Sequence, residues 1–110
     1  MDESVLKQAR EEINEIDHEM AKLFVRRMQA AKKIAKYKHA NNFPILDQIR
    51  EQEIIKKNTE LIDDKQLREF YSKFFDITLS LSKHYQVYIT KKIRMLEELG
   101  IKEENIDGLL

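Results

Sequence analysis

Residues 13–38, INEIDHEMAKLFVRRMQAAKKIAKYK, decide the fold. Within them Ile13, Ile16, Met20, Leu23, Arg27, Ala30, Ile34 and Tyr37 alternate three and four apart, so on one helix they form a single stripe of the coiled-coil kind. Arg27 interrupts that stripe. Its guanidinium stays charged, and burying it without an anion is strongly unfavourable. Two readings follow. Either its stem packs in the seam while the head reaches water, or a carboxylate of the protein or of an acidic ligand meets the charge.

Outward from this stretch, Gly and Pro are absent from Ser4 to His39, so the helix is expected to run that whole way. At 1.5 Å per residue it would be roughly 50 Å long. A compact chain of this size should be only about 30 to 35 Å across. The economical solution is a symmetric dimer in which a second chain covers the overhang. His39-Ala40-Asn41-Asn42-Phe43-Pro44 then stops the helix, Pro44 disfavouring helix at Phe43. A shorter amphipathic helix is predicted from about Leu46 to Leu61, with Asp47 in its first turn where the helix dipole favours a carboxylate. Asp63 followed by Gln66 reads as a capping box opening a third helix. Its seam is expected to be Leu67, Phe70, Phe74, Ile77, Leu81, His84 or Tyr85, and Tyr88, continuing to Leu99 with Gly100 as the stop. The tail from Ile101 to Leu110 reads as a loosely held last turn. The expectation is therefore an all-α fold of three helices, one very long, one short and one long, in a single domain spanning residues 1–110, with 93–110 an extension whose role the sequence does not fix.

Composition narrows the function classes. The chain of 110 residues has two Gly, one Pro and no Cys, and twenty basic residues balance twenty acidic ones. Neither a basic arm nor an acidic tail stands out, so nucleic acid is not an expected partner. No apolar stretch approaches a membrane span, and Met1-Asp2-Glu3-Ser4 lacks a signal-peptide pattern, so the expected address is the cytoplasm. Without Cys there is no thiolate metal site and no cysteine nucleophile. His18, His39 and His84 lack a ligand-like spacing, and no Ser is placed to complete a triad with Asp17 and His18, so neither a metal nor a covalent mechanism is expected.

The polar residues form a constellation instead. Arg27 and Lys38 are eleven residues apart, which returns to within about 20° of one direction on a helix. Arg26 points roughly 120° away from Lys38, so of the tandem pair Arg27 is the inward candidate. Arg10 stands about 100° off Arg27 and some 25 Å along the axis, out of reach of one shared ligand within a chain. It could reach a site in a partner chain. In the second helix Asp47, Arg50 and Glu51 lie at i, i+3 and i+4, the spacing of an exposed ion-pair cluster as much as of a site. Ser82 and Gln86 lie one turn apart beside the third seam, a place where uncharged polar residues are often only flank positions.

Five blocks, in order and spacing, resemble the all-helical chorismate mutases, the AroQ class: Ala9-Arg10-Glu11-Glu12-Ile13-Asn14-Glu15-Ile16-Asp17, Leu23-Phe24-Val25-Arg26-Arg27, Ile34-Ala35-Lys36-Tyr37-Lys38, Pro44-Ile45-Leu46-Asp47-Gln48-Ile49-Arg50-Glu51, and Ser82-Lys83-His84-Tyr85-Gln86. The resemblance covers about Leu6 to Gln86. It implies an intertwined dimer of three-helix chains that rearranges chorismate to prephenate on the route to phenylalanine and tyrosine. That reaction breaks an ether C–O bond as a C–C bond forms and needs no cofactor, so the protein holds a flexible dianion in its reactive chair and stabilises charge on the ether oxygen. Carried onto matching positions, the resemblance gives Arg27 one substrate carboxylate and Arg10 of the other subunit the second. Lys38 and Gln86 donate to the ether oxygen, and Glu51 accepts from the ring hydroxyl with Asp47 nearby. Arg50 binds a carboxylate or orients Glu51, and Ser82 hydrogen-bonds a carboxylate. Two features depart from the family pattern. The link at Asp63-Asp64 is short, so Ser82 and Gln86 match only with a small length difference, and the chain continues beyond Gln86, where the sequence does not choose between lengthening the third helix, docking on another pathway enzyme and binding an effector. Two alternatives stand beside the mutase: a lyase on the same scaffold that eliminates pyruvate from isochorismate, and a non-catalytic helical dimer serving as a regulatory or docking module.

Overall fold

The computed structural model describes residues 3–110; Met1 and Asp2, which open the charged stretch read above, lie outside the described residues. Helix α1 runs Glu3–Ala40, α2 Gln48–Thr59, α3 Lys65–Glu98 and α4 Glu103–Ile106, followed by a 3-10 turn at Asp107–Leu109. No strand occurs among the described residues, so the protein is all-helical. The three expected helices are joined by a fourth, short one.

The chain separates into two units, one ending at Ala30 and the other running from Ala31 to Leu110. The first is α1 alone, and its seam residues Ile13, Ile16, Met20 and Leu23 are all exposed. The second unit holds the core, where Ala35, Ile89, Ile93, Leu96 and Ile106 cluster and Tyr85, Ile101 and Leu110 pack against them. Burial of each large aliphatic side chain there is worth about 1.5–3 kcal/mol.

Each helix end is built from its sequence. At the close of α1, Asn42 takes a positive φ of 57°, Phe43 N–H donates to the Lys38 carbonyl at 2.8 Å and Asn42 N–H to that of His39 at 3.3 Å. This is a Schellman stop, and the Phe43 ring closes it against Tyr37 with centroids 5.8 Å apart. Gly100 ends α3 in the same way, at φ 78°, with Ile101 N–H donating to the Leu96 carbonyl at 3.0 Å. Helix α2 begins two residues later than expected because Asp47 is its N-cap, accepting from Arg50 N–H at 3.0 Å. The cap of α3 is Asp64, not Asp63, and accepts from the N–H groups of Gln66 and Leu67. Leu67 at the third helical position has no side chain to answer it, so no capping box forms.

Two expectations about packing are corrected. In α3 the expected seam is exposed, Leu67, Phe70, Phe74, Ile77, Leu81 and Tyr88 among it, whereas Phe75, Leu79, Ser82, Gln86, Ile89, Thr90, Ile93 and Leu96 are buried. Helix α3 has a second stripe at the same three-four spacing, and that one meets the core. In α1 the buried residues are Ala31 and Ala35, one position beyond seam members Ala30 and Ile34, which leaves Ile34 and Tyr37 exposed. Small side chains allow close approach, so this edge takes the core contact. The tail is also tighter than a loose turn. Ile106 of α4 is 6% exposed within the core, and Lys36 Nζ meets Asp107 Oδ1 at 2.7 Å.

Candidate active site

Lys38 lies three residues after buried Ala35, so its stem runs along the edge of the core and the side chain is half-buried. Its ammonium donates to the Ile45 carbonyl at 2.9 Å. That bond ties the end of α1 to the irregular link before α2 and fixes one of three donors, leaving two for a ligand. Lys38 and Asp47 line one cleft of about 580 Å³, walled by Phe43, Pro44, Leu46 and Ile49. Asp47 already spends one oxygen on the α2 cap, so its part there is architectural first.

Glu51 stands one turn into α2. In place of the exposed cluster with Asp47 and Arg50 that the spacing allowed, Glu51 makes a contact between helices, its Oε1 meeting Lys83 Nζ of α3 at 3.0 Å. Both side chains are partly sheltered, which gives the pair more weight than a fully exposed one. Arg50 itself is exposed.

Ser82 and Gln86, read as flank positions, are instead part of the buried stripe of α3, 6% and 8% exposed. Thr90 continues the polar run, its hydroxyl donating to the Gln86 carbonyl at 2.9 Å. The Gln86 side-chain oxygen is buried with no hydrogen-bond partner among the described residues. An unmatched buried amide costs about 1–3 kcal/mol, and an amide in that state is suited to a ligand that completes it. Three polar residues in a core stripe of eight thus form a buried polar patch on an otherwise apolar face.

The second unit therefore brings Lys38 and Asp47 to one cleft and links Glu51 to α3 immediately beside Ser82. Arg27 and Arg10 belong to the first unit; Arg27 is half-buried on α1 and Arg10 is exposed. Two contributors were missed by sequence reasoning, the Lys83 ammonium and the Ile45 carbonyl. Lys83 was quoted only as part of a block, and its partner lies in another helix, so no local spacing marks it. A backbone carbonyl leaves no sequence signal at all.

Residues 9–87 match the family model described as chorismate mutase type II. No curated protein and no solved structure gives a significant match. The matched span covers most of the chain, takes in α2 and every polar residue above except Thr90, and ends one residue past Gln86; this all-helical chain belongs to the chorismate mutase type II family, the AroQ class.

Proposed function

We propose that the protein converts chorismate to prephenate as a homodimer, acting in the cytoplasm on the route to phenylalanine and tyrosine. The observation that carries the reading is the buried Gln86 amide with an unmatched oxygen, set within the matched span. An amide can turn end for end, so the same group can offer its N–H to the ether oxygen when the substrate arrives. Lys38 supplies the second donor, pre-aimed by Ile45. The ether C–O bond breaks as the new C–C bond forms, no atom is gained or lost, and both donors strengthen as charge gathers on the departing oxygen.

The remaining roles concern binding. Arg27 grips one carboxylate with its planar fork, and Arg10 of a second copy grips the other. Ser82 hydrogen-bonds a carboxylate. Glu51 accepts from the ring hydroxyl, and the structure supports Lys83, in place of Arg50, as the cation that orients it. Arg50 is then left to a substrate carboxylate. Exposed seams on α1 and α3 are suited to burial against the second copy.

Chorismate consumption by wild type and Lys38→Ala tests the proposal. Loss of a preorganised donor should slow turnover by ~10²-fold or more. Prephenate as product supports the mutase, pyruvate from isochorismate replaces it with the lyase, and a folded wild type that turns over neither substrate leaves a non-catalytic helical module.

A further inference from the structure

A second cleft of about 590 Å³ opens at the α1–α2 link, lined by Lys38, His39, Lys91 and Arg94 together with Asn42, Thr90 and an apolar wall of Phe43, Pro44, Ile45 and Val87; it shares Lys38, Phe43 and Pro44 with the first cleft and reaches past the matched residues at Thr90, Lys91 and Arg94. No carboxylate lines it. In a chain with twenty acids and twenty bases, a lining that holds Lys38, Lys91 and Arg94 and no carboxylate needs a local reason. Two acids at this end of the second unit are paired, Glu97 with His39 of the lining and Asp107 with Lys36. Lys91 and Arg94 have no carboxylate partner among the described residues, and they sit one turn apart on α3. Concave sites of this size with one sign of charge focus potential on a small ligand, and an apolar wall selects one with a hydrocarbon body.

We infer that this cleft binds a small organic carboxylate carried on a ring or short apolar frame, with Lys91 and Arg94 as its anchors. Arg94 offers a fork to a carboxylate, Lys91 a point charge beside it, and Phe43, Pro44 and Val87 the surface on which the frame packs. The Thr90 hydroxyl, donating to the Gln86 carbonyl, joins this cleft to the polar stripe that contains Gln86. The anchors lie outside the matched span, whereas Lys38 is common to this cleft and to the reaction proposed above.

The test is an amide NMR titration of the full chain with isophthalate, and with inorganic phosphate as an anion lacking an apolar frame. Isophthalate should shift the Val87, Thr90, Lys91 and Arg94 amides in a saturable way and bind more tightly than phosphate. The double substitution Lys91→Ala with Arg94→Ala should weaken isophthalate by about tenfold or more, as loss of two charge-assisted contacts requires. Arg94→Lys alone should retain part of the binding, because the charge remains. If the two cations serve only to offset the C-terminal dipole of α1, the double variant lowers the melting temperature while isophthalate moves none of these amides, and the site is refuted. Equal affinity for phosphate and isophthalate refutes an organic ligand. A raised chorismate KM in the double variant would identify the substrate as the anion, whereas an effect confined to isophthalate identifies a separate carboxylate.

Discussion

Lys83 holds Glu51, and in the proposed reaction Glu51 must present one oxygen to a hydroxyl in a fixed direction. With Oε1 taken by the lysine at 3.0 Å, the other oxygen is left as the acceptor. Lys83→Ala should therefore lower kcat by roughly tenfold with a smaller change in KM, since a loosened acceptor loses alignment more than ground-state binding. Lys83→Arg, which keeps a cation within reach, should recover most of the rate. Steady-state kinetics on chorismate decide it: an unchanged kcat in Lys83→Ala would show that the pair is a surface contact without consequence. At this scale the sequence nominates candidates where the order of residue types carries the information: five blocks name Arg10, Arg27, Lys38, Asp47, Arg50, Glu51, Ser82 and Gln86, whose roles belong to the proposal. The sequence was unreadable where a partner comes from another helix, because Glu51 and Lys83 have no spacing rule between them and only the packing of α2 on α3 sets their distance.

Helix ends and helix faces differed in how far they could be read. The stops at Asn41-Asn42-Phe43-Pro44 and at Gly100 were anticipated, the first because Pro44 disfavours helix at Phe43 and the second because Gly suits a left-handed cap; the left-handed Asn42 is what the structure adds. The face of α3 was not, for a physical reason: the stripe that meets the core includes Ser82, Gln86 and Thr90, and a reading by hydrophobicity prefers the rival stripe of Leu67, Phe70, Phe74 and Ile77. The polar residues that mark a candidate site are those that disguise the core. The tail was misread for a related reason, because a four-residue helix has no periodicity to detect and only burial of Ile106 reveals its anchoring. Ile106→Ala should destabilise the protein by about 2–5 kcal/mol, as for other aliphatic truncations in a packed cluster. Urea denaturation followed by circular dichroism measures it. A loss below about 0.5 kcal/mol would return the tail to a loosely apposed segment.

For the molecule as a whole, the seam that Arg27 interrupts is exposed along both units, and so is the corresponding stripe of α3. Light scattering should give twice the 13.2 kDa of one chain. Ile16→Glu with Leu23→Glu should return the mass to that of one chain and abolish turnover, because Arg10 would no longer reach a neighbouring site. A wild type that is monomeric yet fully active would remove Arg10 from the mechanism. Mixing inactive Arg10→Ala and Lys38→Ala chains should restore part of the activity if the site is shared. Helix α3 then acquires a further meaning. Its exposed polar residues Glu69, Lys73 and Asp76 form a third strip, and at 100° per residue the three strips stand about 120° apart. In the proposed dimer one strip is owed to the chain's own core and one to the second copy, and of the third only the stretch before Lys83 is left to water, because further along the same strip lie Lys83, Val87, Lys91 and Arg94. A saturation-mutagenesis screen of α3 should accordingly find tolerance confined to that stretch around Glu69, Lys73 and Asp76, so the helix has little room for neutral drift and can diverge between lineages chiefly along the first half of a single edge.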